Sequence, residues 1–221
     1  MTTAPLEESI NRLSKGFQTI SPEEAASRVA MEASRKKREH NIKVAELIAA
    51  SNIPKRQQAA QIDRSAGEWA STYQKLVKNL STGFLSALLG TRGNGKTQIG
   101  VELVKENSDK LRTSRFCCAT EFFMDIKASY KKDEVTEKDV IKEYLKPHLL
   151  IIDEIGQRSD SEWENRLLFY LVNERYEDMK DTLFIGNLDP SQLVAALGPS
   201  IASRMNETGG IINCQWESFR N

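Results

Sequence analysis

The chain has 221 residues, 39% of them hydrophobic, with 31 basic side chains against 31 acidic ones. That length holds one ordinary domain plus an appendage. Balanced charge gives no overall attraction for nucleic acid, so any such contact has to come from a local patch. Mean hydropathy is −0.49, no apolar run approaches a membrane span, and Met1–Glu8 lacks the basic-then-apolar order of a leader. These features predict a soluble, cytoplasmic chain with no membrane role. Cys117, Cys118 and Cys214 are spaced for neither a disulfide framework nor a zinc site, and they read as small buried hydrophobes in a reducing compartment.

Up to about residue 52, aromatics and glycines are scarce. Leu6, Ile10, Leu13 and Phe17 form a short amphipathic pattern. Ser21-Pro22-Glu23-Glu24 then supplies the cap, the first-turn proline and the glutamate three residues on that open a helix. The helix predicted from there to Ala50 carries Arg35-Lys36-Lys37-Arg38, which is either a solvated face or a contact for DNA or an acidic partner. Such a region buries little surface alone. Residues 1–52 are therefore expected to be a docking module and residues 53–221 the main domain, with Asn52-Ile53-Pro54 as the break.

Helical periodicity resumes over residues 59–80. The apolar run 84–89 then reads as a buried strand. It leads into Gly90-Thr91-Arg92-Gly93-Asn94-Gly95-Lys96-Thr97, which matches G-x-x-x-x-G-K-[ST]. The glycines let backbone N–H groups turn around phosphate oxygens, Lys96 adds a point charge for the β- and γ-phosphates, and the Thr97 hydroxyl can ligate Mg²⁺. Residues 96–106 have helical spacing, so a helix N-terminus faces the phosphates. Gly90 to Thr97, with the following Gln98, are assigned to ATP.

A second strand is predicted at 115–119. Thr120 is expected to cap a helix carrying Phe122, Phe123, Ile126 and Tyr130. Thr136-Glu137-Lys138-Asp139 resembles a capping box, and Pro147 ends the helix it opens. The strand 148–152 runs into Asp153-Glu154, as a Walker B element does. Asp153 there would hold Mg²⁺, and Glu154 would orient and deprotonate the attacking water. Ser161 caps a helix with Trp163, Leu167, Leu168, Leu171 and Val172 on its apolar stripe. A strand at 183–185 ends in Asn187, which either positions the lytic water or is a turn residue before Asp189-Pro190. A short helix ends at Gly198. Arg204, placed just past it, is either an arginine finger for a neighbouring subunit or half of a surface salt bridge. Residues 211–214 form the last strand. Strands alternating with helices predict an α/β fold, a parallel sheet covered on both faces.

The P-loop, Ile-Asp-Glu-Ile-Gly at 152–156, Gly-Asn-Leu at 186–188, Ser-Arg-Met at 203–205 and Trp-Glu-Ser-Phe-Arg at 216–220 occur in this order. Over residues 52–221 the chain resembles the DnaC/IstB-type AAA+ ATPases, and most of all the DnaC-type helicase loaders. The resemblance implies a P-loop ATPase core that self-associates with ATP, docks on a hexameric DnaB-type helicase through its N-terminal region and places it on single-stranded DNA. It makes Arg204 a finger acting in trans and Arg220 a sensor-2-like arginine acting in cis. It points to Tyr130, Lys131, Lys132, Ser161 and Trp163 as contacts for single-stranded DNA, where aromatics and cations suit stacking and phosphate neutralisation. Trp163 equally suits core packing. Many relatives carry a second arginine where this chain has Ser200, and Arg175 is a candidate replacement. Arg92 and Asn94 stand where small residues or proline are frequent, and no separate lid domain is expected after Arg220. An IstB-like transposition helper and a non-hydrolysing helicase-binding adaptor are the alternative functions.

Overall fold

The computed structural model describes residues 21–60, 67–130, 135–159 and 161–219. Lys131, Lys132, Arg220 and the pattern from Leu6 to Phe17 lie outside these residues. The chain divides into two compact units, Met1–Ile42 and Lys43–Asn221.

Helix α1 spans Pro22–Ala50. Its start is a reciprocal cap: Glu24 N donates to Ser21 Oγ at 3.2 Å and Ser21 N to Glu24 Oε2 at 3.1 Å. In the basic run, Lys36 pairs with Glu32 at 2.8 Å and Arg35 with Glu39 at 3.5 Å, one helical turn away on an exposed face.

The second unit continues with α2 (Lys55–Gln58), α3 (Gly67–Asn79), β1 (Leu85–Leu89), α4 (Lys96–Asp109), β2 (Ser114–Cys118), α5 (Ala119–Ser129) and α6 (Glu137–Leu145). It is completed by β3 (Leu149–Asp153), α7 (Glu162–Glu177), β4 (Asp181–Gly186), α8 (Pro190–Leu197), α9 (Pro199–Thr208) and β5 (Gly210–Asn213). The sheet order is β2-β3-β4-β1-β5, and every pairing is parallel. Parallel neighbours need crossover connections, and the helices that supply them cover both faces.

Alternate residues along each strand feed opposite cores. Leu85, Ala87, Leu89, Leu150, Ile152 and Phe184 pack with Phe122, Ile126, Tyr144, Leu168, Leu171 and Met205. Leu88, Leu149, Ile151, Leu183 and Ile185 pack on the other side with Ile53, Trp69, Tyr73, Leu76, Ile99 and Leu103. All five residues of β1, and likewise of β3, are buried.

The local signals at Thr136, Ser161 and Asp189 all form side-chain caps. Two assignments change. Cys118, not Thr120, caps α5: its sulfur accepts from Glu121 N at 3.4 Å, while the Thr120 hydroxyl donates to Gln157 O at 2.8 Å. Cys118 is thus half-buried and engaged, unlike the buried Cys117 and Cys214. Arg204 does not follow a helix but sits inside α9, which starts at Pro199 directly after Gly198.

Arg175, the candidate replacement for an arginine at position 200, is fully buried near the amino ends of β3 and β4. Its guanidinium donates to Thr182 Oγ1 (2.9 Å), Tyr144 O (3.0 Å), Pro147 O (2.9 Å) and Asp181 O (2.7 Å). These groups lie at or just before the starts of β3 and β4, whereas phosphate binds at strand carboxyl ends. Burial lowers its pKa to about 9, so it stays charged at neutral pH. Asp181 beside it joins β4 to the turn before β1 by accepting from Ser81 N (2.7 Å), Gly83 N (2.9 Å) and Phe84 N (3.2 Å).

Replacing Arg175 by Met leaves several buried carbonyls unpaired. The expected loss of unfolding free energy is about 3–5 kcal/mol, read from the urea midpoint. A loss under about 1 kcal/mol would show that Arg175 does not organise this end of the sheet.

Candidate nucleotide site

The carboxyl ends of β1, β3 and β4 open into one cavity of about 510 Å³. Arg92, Gly93, Asn94, Gly95, Lys96, Thr97, Gln98, Asp153, Glu154 and Asn187 line it. Residues separated by nearly a hundred positions thus meet where a parallel sheet binds ligands.

The loop after β1 gets its shape from residues that tolerate positive φ. Gly90 (φ 137°), Gly93 (91°) and Gly95 (76°) all turn this way. A Cβ on Gly90 would lie 2.4 Å from Cys214 O, so the loop and the chain after β5 close on each other there. Lys96 is 5% exposed. Its ammonium donates to Gly90 O (2.9 Å), Thr91 O (2.6 Å) and Asn94 Oδ1 (2.9 Å). Gly90 and Thr91 therefore act through their carbonyls, while Gln98 is turned to Glu102 Oε1 at 2.9 Å.

Thr97 Oγ1 donates to Asp153 Oδ2 at 2.7 Å, and Glu154 N donates to Asp153 Oδ1 at 2.7 Å. Burial pushes the Asp153 carboxyl up from its usual range, while the Thr97 hydroxyl and the Glu154 amide pull it back. Glu154 is exposed and has φ 56°, a conformation costly for a non-glycine residue. Ile155 N, bonded to Ile185 O at 3.0 Å, holds that turn against β4. The result is a hydroxyl and a carboxylate in contact at the cavity floor, with a second carboxylate above them.

Several contributors had no local signal in the sequence. Arg56, Gln57 and Ala60 from the region of α2, Gln157, Ile185 and Phe219 also line the cavity. Trp69 Nε1 donates to Gly95 O at 3.1 Å and Trp216 Nε1 to Asn94 O at 2.6 Å. Phe219 N donates to Gly93 O at 2.9 Å. The segment 214–219 is thus a strap across the P-loop. Its only sequence trace is the Trp-Glu-Ser-Phe-Arg motif.

The other candidate residues lie elsewhere. Arg204 is not among the cavity's lining residues: it donates to Ser200 Oγ (2.8 Å) and Asn173 Oδ1 (2.8 Å) and stacks by Phe169 and Tyr176. Ser200 is therefore a support for Arg204. Tyr130 and Trp163 border a separate groove with Lys138, Arg166 and Tyr170. Trp163 packs against the core and also borders the groove. It is half-buried against Phe123 (centroids 5.9 Å apart), and its edge reaches the groove, with Nε1 donating to Tyr130 OH at 3.2 Å and Lys127 Nζ 5.2 Å from its ring. Ser161 uses its hydroxyl as the α7 cap.

The family model of the IstB-like ATP binding proteins matches residues 18–204. YdaV of Escherichia coli K12, itself uncharacterised, is 28% identical over 167 residues, 72% of this chain and 65% of that one. The replicative helicase loader DnaC of E. coli K12 is 22% identical over 135 residues, 60% of this chain and 54% of the loader. The matches thus span roughly half to two thirds of these relatives. A crystal structure of the DnaC helicase loader superposes with a TM-score of 0.62 at 21% identity, covering 72% of this chain and 99% of that one; at that identity the likeness establishes the fold, an AAA+ P-loop core. With the P-loop, Asp153 and Glu154 gathered in one cavity and the family model spanning most of its length, the chain belongs to the IstB-like ATP binding proteins.

Proposed function

We propose that the chain is an ATPase that loads a hexameric DnaB-type replicative helicase onto single-stranded DNA in the cytoplasm and leaves it on hydrolysis. The observation that carries hydrolysis is the meeting of Thr97, Asp153, Glu154 and Asn187 at one end of the cavity. Thr97 and Asp153 would hold Mg²⁺ together with phosphate oxygens, which suits an ion that takes one or two protein oxygens and retains water. No cluster of three or more His, Cys, Asp or Glu side chains suited to a metal occurs among the described residues. Held there, such an ion would supply neutralisation of charge on the leaving phosphates. Glu154, exposed beside Asp153, takes the proton of the attacking water, and Asn187 orients it.

Arg204 acts in trans. It touches neutral oxygens of Ser200 and Asn173 and the rings of Phe169 and Tyr176, so its full charge is offered to a neighbour's phosphate. Arg220 acts in cis, directly after the strap. Residues 1–52 dock on the helicase, and residues 53–221 form the ATPase domain. Tyr130 and Trp163 contact single-stranded DNA along the aromatic groove, and Lys131, Lys132 and Ser161 contribute to the same DNA contact. Loading is favoured by the likeness to DnaC; the family model favours a second reading, an IstB-like transposition helper. Among the described residues no helix is long and apolar enough to cross a membrane.

Glu154→Gln should bind ATP as the wild type does while phosphate release falls by about 10²- to 10⁴-fold; unchanged turnover removes Glu154 as the base. Arg204→Ala and Lys96→Ala proteins, each inactive, should regain activity when mixed, because a joint between one intact finger and one intact P-loop then exists. No recovery at any ratio rules out a shared site. The full chain should co-purify with the replicative helicase in ATP, and a chain lacking residues 1–52 should not. Tight duplex DNA binding without helicase capture would favour transposition instead.

A further inference from the structure

The P-loop departs from common practice at Asn94, and that departure carries a role. Asn94 is fully buried. Its Nδ2 donates to Cys214 O at 2.8 Å, and its Oδ1 accepts from Lys96 Nζ at 2.9 Å. One partner can only accept and the other can only donate, so the two together fix which end of the amide faces the lysine. The backbone carbonyl of the same residue is held by Trp216 Nε1 at 2.6 Å. Asn94 is therefore gripped by the strap at two atoms and grips the ammonium with a third.

Gly90 and Thr91 reach that ammonium with backbone carbonyls. The amide oxygen reaches it from a side chain whose other end is tied to Cys214 O. We infer that Asn94 is a positioning residue for the bound triphosphate: it holds the Lys96 ammonium at the loop and ties its place to the strap Cys214–Phe219. Being neutral, the amide orients the charge without cancelling it, so Lys96 remains available to the β- and γ-phosphate oxygens. The inference rests on the nucleotide-site reading given above.

The test is equilibrium binding of a fluorescent ATP analogue to the full chain, with a melting curve for each variant. Asn94→Ala should weaken binding on the order of tenfold, and Lys96→Ala should weaken it further. The double variant should bind no worse than Lys96→Ala alone, since Asn94 acts through that lysine. Asn94→Asp keeps the shape but sets a carboxylate against the ammonium, so it should lose at least as much affinity as alanine. Asn94→Ser, a neutral change, carries the same double-variant comparison if Asn94→Ala does not fold. Additive losses, the mark of a purely structural residue, or wild-type binding by an Asn94 variant overturn the assignment. Undiminished binding by Lys96→Ala would instead overturn the nucleotide-site reading itself.

Discussion

A charge withdrawn from water must be met by hydrogen bonds, and this molecule meets that demand at both ends of one parallel sheet. At the starts of β3 and β4, Arg175 is saturated by carbonyls and a hydroxyl, and it draws α6, α7 and two strands together. At the carboxyl ends, Lys96 is saturated by two loop carbonyls and one amide. The two cations are solved alike and are used differently. Arg175 has no opening to solvent and is a fixture. Lys96 lines a cavity, so its neutral partners can be exchanged for a stronger, charged one.

The same contrast orders the carboxylates. Asp181 spends both oxygens on backbone N–H groups and fixes the register at the base of β1 and β4. Asp153 has one oxygen on a hydroxyl and one on the next residue's amide, with burial working against its charge. A cation held there, as proposed for Mg²⁺, would relieve that cost. The end that is complete stabilises the fold, and the end that is incomplete awaits a ligand.

Legibility in the sequence followed the range of each interaction. The caps at Ser21, Thr136, Ser161 and Asp189 were readable because donor and acceptor lie three residues apart, and strand identity was readable from unbroken apolar runs. Helix α9 was missed because Gly198-Pro199 reads as an ending, although proline at a first helical position opens a helix equally well. Cys118 was missed as a cap because a thiol is a weak acceptor. The P-loop, Asp153, Glu154 and Asn187 were legible as motifs, since their chemistry restricts residue type. The bonds by which the strap holds the P-loop, and the support of Arg204 by Asn173 and Ser200, were not. They join distant residues whose types are unremarkable alone, and only the fold brings them together.

The bond from Asn94 to Cys214 spans 120 positions, and that from Trp216 to Asn94 spans 122. A growing polypeptide therefore makes its phosphate loop early and can set it only late, after β5 and the strap have left the ribosome. Until then the Asn94 amide and carbonyl lack the partners that hold them, so the P-loop's final shape depends on the last segment of the domain to be made.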